Sequence, residues 1–154
     1  MSDSPGRGDL AGGRQRGGED AIAVECTIAA SPERVWSALT DPALRSSWWP
    51  GLAFEAAPGA ALQERWVEDG TEQVAQGTVL EVVSAELLRF SWSDASWEAP
   101  TTVAIRLTGS GPATLVRVVE SGLSRLSNGR EVARAHEAGW RWHLDQLREF
   151  AASA

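Results

Sequence analysis

The sequence predicts an α+β fold: a curved antiparallel sheet of about seven strands wrapped around a long C-terminal helix, with two short helices after the first strand. Three observations predict it. Between residues 52 and 121, alternating apolar segments are separated by turn residues, the period-two signature of strands. From Asn128 to about Ala152 the apolar residues recur instead at helical spacing along one face. A sheet with one apolar face and a helix with one apolar face each need a cover, and each supplies the other's.

The elements follow in order. Residues 1–20 hold six of the 15 glycines and charges of both signs, too little apolar area to offset the entropy of ordering, so a disordered Gly/Arg-rich tail is expected. Its Gly6-Arg7-Gly8-Asp9-Leu10-Ala11 superficially matches a dinucleotide fingerprint, but no strand precedes it. A single domain is expected over residues 21–152. Ile22, Val24, Cys26 and Ile28 alternate with Ala23, Glu25, Thr27 and Ala29, which reads as a half-buried strand with Cys26 as a small core residue. Ser31-Pro32 pairs a serine N-cap with proline at the first helical position. Val35, Trp36 and Leu39 give that helix its apolar face, and Asp41-Pro42 stops it. A second short helix from Pro42 to about Ser47 then delivers Trp48-Trp49. Strands are expected near 52–57, 61–67, 71–83, 86–93, 101–108 and 113–121. Tight turns are expected at Glu68-Asp69-Gly70 and Gly109-Ser110-Gly111-Pro112. Gly77 inside the long fourth strand predicts a bulge. The last helix starts at Asn128 with Glu131 as capping partner. At roughly 100° per residue, Ala133, His136, Trp140, His143, Leu144, Leu147 and Ala151 share its apolar face.

Composition narrows the chemistry. The chain has 154 residues, 43% hydrophobic and 23% charged, as a soluble globular domain does. All 14 cationic residues are arginines and there is no tyrosine, which excludes lysine Schiff bases, phosphate-loop lysines and phenolic acids. With one cysteine, Cys26, there is no internal disulfide and no multi-cysteine zinc site. A net charge of −7 without a basic cluster argues against a nucleic-acid surface. No apolar run approaches the roughly 20 residues of a membrane span, and the N-terminus lacks a signal-peptide core. A cytoplasmic protein without cofactor is expected.

The order strand, two short helices, six strands, long helix resembles the helix-grip fold of the START/Bet v 1-like (SRPBCC) superfamily. More narrowly, the chain resembles the family named for the C-terminal domain of activators of heat-shock protein 90 ATPase. The stretches that carry the likeness are Ser31-Pro32-Glu33-Arg34-Val35-Trp36-Ser37-Ala38-Leu39-Thr40-Asp41-Pro42, Trp48-Trp49-Pro50, Gly77-Thr78-Val79-Leu80-Glu81-Val82, Leu88-Arg89-Phe90-Ser91-Trp92, Glu120-Ser121-Gly122-Leu123 and Gly139-Trp140-Arg141-Trp142-His143-Leu144. The resemblance implies a cavity between sheet and helix that takes lipids, polyketides or other apolar small molecules. Some such domains are cyclases or dehydratases. The separate chaperone-binding domain of the eukaryotic activators has no counterpart in the 20-residue tail, so a chaperone partner is left open.

Candidate site residues follow from the inward faces. His136-Glu137-Ala138-Gly139-Trp140 begins like a zincin motif but has Trp140 at the second ligand position. His136 and His143 are separated by about 10 Å of helix rise, too far to grip one metal. No metal is expected. Glu120 shares a face with Val116 and Val118, which points a carboxylate inward where unpaired burial is too costly; Glu64 shares the Leu62 and Trp66 face. Eight tryptophans offer flat apolar walls with one donor each. The expected ligand-binding set is Trp49, Phe54, Trp66, Phe90, Trp92, Val103, Ile105, Glu120, His136, Trp140 and His143. Trp48 and Trp49 are placed at the entrance, and Trp142, off the apolar face, at a contact with the tail or another subunit. The leading functional expectation is a non-enzymatic module that binds an apolar or aromatic small molecule. The alternatives are a cyclase or dehydratase using Glu120 and His143 for proton transfer, and a co-chaperone or regulatory interaction module. Monomer and homodimer are both open.

Overall fold

The computed structural model describes residues 20–153. Residues 1–19, which carry the expected tail and its Arg/Gly motif, lie outside the described residues. The elements are β1 (Ala21–Ile28), α1 (Pro32–Thr40), α2 (Pro42–Arg45), β2 (Leu52–Phe54), β3 (Ala61–Glu68), β4 (Thr71–Val83), β5 (Leu87–Asp94), β6 (Thr101–Ser110), β7 (Ala113–Ser121), a 3-10 turn at Leu123–Arg125 and α3 (Gly129–Ala152). The seven strands form one curved antiparallel sheet in the order β1-β7-β6-β5-β4-β3-β2. The helix-grip α+β fold expected from the sequence is the one observed. No described helix is long and apolar enough to cross a membrane.

Local chemistry explains the boundaries. The Ser31 side chain accepts from the Arg34 backbone N–H at 3.2 Å and Asp41 caps α2 through the Ala43 N–H at 2.9 Å. The β3–β4 turn places both Asp69 (φ 52°) and Gly70 (φ 76°) in the left-handed region, the backbone of a two-residue hairpin loop whose twist suits the flanking strands. Three details differ from expectation. β2 ends at Phe54, because residues 55–60 leave the ladder in a loop containing Pro58 and Gly59 (φ 89°). The bulge falls at Leu80, where the β4–β5 register shifts between Val79 and Glu81. Gly77 has another role: a Cβ there would lie 1.8 Å from the Ser91 carbonyl oxygen, so glycine permits close approach of β4 and β5. Finally, Asn128 stands at the α3 N-cap but makes no side-chain capping bond, so the expected capping box with Glu131 does not form.

The core fills the concave side of the sheet. Val24, Ile28, Leu62, Val79, Leu88, Phe90, Val103, Ile105, Val116 and Val118 pack there with Val35 and Leu39 of α1 and with Trp140, Leu144 and Leu147 of α3. Helix α3 lies along β1 and α1, while α1 closes against β6 and β7. One buried cation braces the near end. Arg45, 2% exposed, donates to the carbonyls of Leu39, Leu52 and Phe54 at 3.1–3.2 Å and lies 4.0 Å over the Phe54 ring. It ties α1, α2 and β2 together, which sets the position of Trp48 and Trp49 immediately after α2.

Candidate functional site

Between α3 and the β3–β5 side of the sheet the structure leaves a cleft of about 370 Å³. Its lining comes from five elements or connections: Trp49 after α2, Glu64 and Trp66 on β3, Trp92 on β5, Glu120 on β7, and Ala135, His136, Gly139, Trp140, Trp142 and His143 on α3. Five of the eight tryptophans are therefore in one wall system.

Glu120 is the polar hub of its floor. It is fully buried, and the β-register sets it between Val103 and Ile22. Three side chains satisfy it: the Thr101 hydroxyl donates to Oε2 at 2.7 Å, the Trp140 indole donates to Oε1 at 3.1 Å, and His136 Nδ1 lies 2.8 Å from Oε1. A carboxylate taking two other donors is an acceptor, so Nδ1–H of His136 donates to it and Nε2 is the ring's remaining polar atom. The Trp97 ring packs 5.5 Å from the same imidazole.

His143 has a different environment. Its ring stacks on Trp49 at 3.6 Å with 12° between planes, and Trp142 and Trp140 present their edges at 5.2 and 6.2 Å. Its Nδ1 is buried without a hydrogen-bond partner. Burial lowers its pKa from 6.5 to about 4, so at neutral pH it is an uncharged aromatic wall with little pull on a proton. Glu64 is a third case. Burial raises its carboxyl above the ordinary range; the Trp49 indole donating to Oε2 at 2.9 Å and, when protonated, the His136 ring offset this only in part.

The sequence-predicted set divides cleanly. Trp49, Trp66, Trp92, Glu120, His136, Trp140 and His143 line the cleft. Phe54, Phe90, Val103 and Ile105 do not: all are at most 6% exposed and are consumed by core packing, Phe54 beneath the Arg45 guanidinium. Trp48, placed at the entrance by sequence, is also interior; its indole donates to the Ala38 carbonyl at 2.9 Å. The imidazole that meets Glu120 is that of His136, one turn before Trp140, and not that of His143. Trp142 is 58% exposed and lines the cleft mouth. Sequence reasoning missed Thr101, which no pattern marks, and the Trp49–Glu64 contact. The Glu64 side of that contact was signalled by the shared face with Trp66. Among the described residues no three His, Cys, Asp or Glu side chains are grouped to hold a metal ion.

Solved structures of similar fold include MLL2253 from Mesorhizobium loti, 25% identical with TM-score 0.72 over 84% of this chain and 95% of that one. CalU16 from Micromonospora echinospora is 23% identical with TM-score 0.68, covering 86% of this chain and 76% of its own. DynU16, from the dynemicin biosynthetic locus, is 25% identical with TM-score 0.73; 87% of this chain is covered, which spans about half (48%) of DynU16. No curated protein matches the chain in sequence. The family model described as activator of Hsp90 ATPase homolog 1-like protein matches residues 29–152. With that match spanning α1 through β7 and helix α3, the chain belongs to the activator of Hsp90 ATPase homolog 1-like family.

Proposed function

We propose that the cleft holds an apolar or aromatic small molecule and that the protein is a binding module, acting in the cytoplasm. The observation that carries this reading is the cleft itself: about 370 Å³, walled by five tryptophans, with few convergent polar groups. Small-ligand sites have that size and that balance. Glu120 is already satisfied by three donors, so the polar handles left to a ligand include Glu64, the Nε2 of His136 and the unpartnered His143 ring. Native mass spectrometry of the purified full chain tests the proposal, together with tryptophan-fluorescence titration of aromatic compounds. A co-purified small molecule or a saturable quench supports it; a ligand-free protein with no saturable response to an aromatic panel overturns it.

One contact favours a second reading, a cyclase or dehydratase. A buried carboxylate 2.8 Å from an imidazole at the cleft wall fixes the tautomer of that imidazole and orients it, as a general acid–base pair requires. The proton-transfer group would then be His136, with Glu120 as its positioning residue. Conversion of a bound ligand, lost in His136→Gln while binding persists, would establish this reading in place of the first.

A further inference from the structure

We infer that the ligand is an organic cation, an amine bound as its ammonium ion on an aromatic or apolar frame, with the charge seated beside Glu64 among the tryptophan faces. This rests on the binding reading above and adds the charge of the ligand to it.

Among the described residues the lining contains no arginine. Its titratable groups are Glu64, Glu120, His136 and His143. His143 is held neutral by burial. The His136 imidazole is already matched by a carboxyl group, its Nδ1 lying 2.8 Å from Glu120 Oε1. Glu64 adds a second carboxyl group, so the described lining brings two carboxyl groups and no guanidinium to the ligand. Five indole rings line the same space, and an indole face attracts a cation through its quadrupole.

Glu64 is what singles out a cation from a neutral guest. Glu120, more deeply buried, has three donors; Glu64 has one, the Trp49 indole, on Oε2. Its other oxygen has no hydrogen-bond partner among the described residues. The raised carboxyl pKa has the same cause, burial that outweighs the single hydrogen bond. A neutral guest filling the cleft would strip more water from Glu64 and return at most a hydrogen bond without counter-charge, and an anion would add repulsion. An ammonium ion supplies both the counter-charge and the missing donors. The net charge of −7 on the chain favours its approach over long range.

Three probes of one shape test the inference by isothermal titration calorimetry on the full chain at pH 7 and low salt: 1-naphthylmethylamine, 1-naphthalenemethanol and 1-naphthoate. The amine is expected to bind about tenfold or more tighter than the alcohol, with the carboxylate weakest. Glu64→Gln, which keeps side-chain shape and an acceptor for Trp49, should abolish the preference by bringing the amine down to the affinity the same variant shows for the alcohol. Alcohol binding as tight as the amine overturns the cation inference while the binding reading stands. A preference for the amine that survives in a folded Glu64→Gln protein overturns the seat at Glu64. Heat from none of the three overturns this inference together with the binding reading.

Discussion

Replacing Glu120 by alanine should destabilise the protein severely, whereas Glu120→Gln should be nearly tolerated. In the alanine variant the Trp140 indole and the Thr101 hydroxyl lose their acceptor in a buried setting, and the His136 ring loses its anchor. Each buried donor left unsatisfied costs about 1–3 kcal/mol. Thr101 has a fallback in the Trp92 carbonyl at 3.4 Å, so its share falls at the low end. The expected total is about 3–5 kcal/mol, a large part of the ~5–15 kcal/mol that holds a domain folded. Glutamine can reproduce the network. Its carbonyl oxygen in the Oε1 position accepts from Trp140 and His136, its amide donates to the Thr101 oxygen, and the Thr101 hydroxyl turns to Trp92. Only the charge assistance is lost, about 1 kcal/mol. Guanidinium unfolding followed by far-ultraviolet circular dichroism measures both. An alanine variant within about 1 kcal/mol of the parent, or a glutamine variant as damaged as the alanine one, would refute the network as the structure draws it.

Other positions give independent tests. His143 has a folded pKa of about 4 against 6.5 unfolded, so the unfolded chain takes up the proton first. Its stabilising contribution is complete above about pH 6.5 and is lost as pH falls toward 4, with a limiting slope of about 1.4 kcal/mol for each pH unit between the two values. His143→Phe keeps the stack on Trp49 and should flatten that part of a stability–pH curve relative to the parent; parallel curves would mean the ring titrates normally. Glu64, raised in the fold, acts with the opposite sign, which is why the comparison is parent against variant. Arg45→Met should strand the carbonyls of Leu39, Leu52 and Phe54 and cost about 3–5 kcal/mol, read as a large fall in Tm. A methyl group added at Gly139 would meet nothing within 4 Å, so Gly139→Ala should raise stability by about 0.5–1 kcal/mol while narrowing the cleft and weakening an aromatic probe. Calorimetry and a probe titration on the same sample read both effects.

How legible the molecule was in its sequence varies with the range of the interaction. The β3–β4 turn was readable at Glu68-Asp69-Gly70, because a two-residue hairpin loop needs left-handed backbone where Asp and Gly accept it. The start of α1 was readable at Ser31-Pro32 for the same local reason. Alternation placed Glu120 and Glu64 on inward faces, since a strand turns its side chains by a fixed period. The same reasoning failed at Gly77, where the constraint is not a property of β4 but the approach of the Ser91 carbonyl from β5.

The site shows where such reading ends. The helical wheel puts His136 and His143 on one face of α3 with equal claim to Glu120. A wheel gives direction without depth, and only the position of α3 against β1 and α1 decides that His136 meets the carboxylate while His143 meets Trp49. Inward-facing Phe90, Val103 and Ile105 looked like cavity walls by the same token, yet core packing covers them and the empty space opens further along, against β3 and Trp92. Sequence by itself determined the elements, their order, their turns and which residues face inward, because each depends on neighbours a few positions away. The tertiary structure alone decided which inward residues touch, which are sealed and which line open space, because those outcomes depend on the distance between helix and sheet, a sum over many long-range contacts that no local pattern encodes.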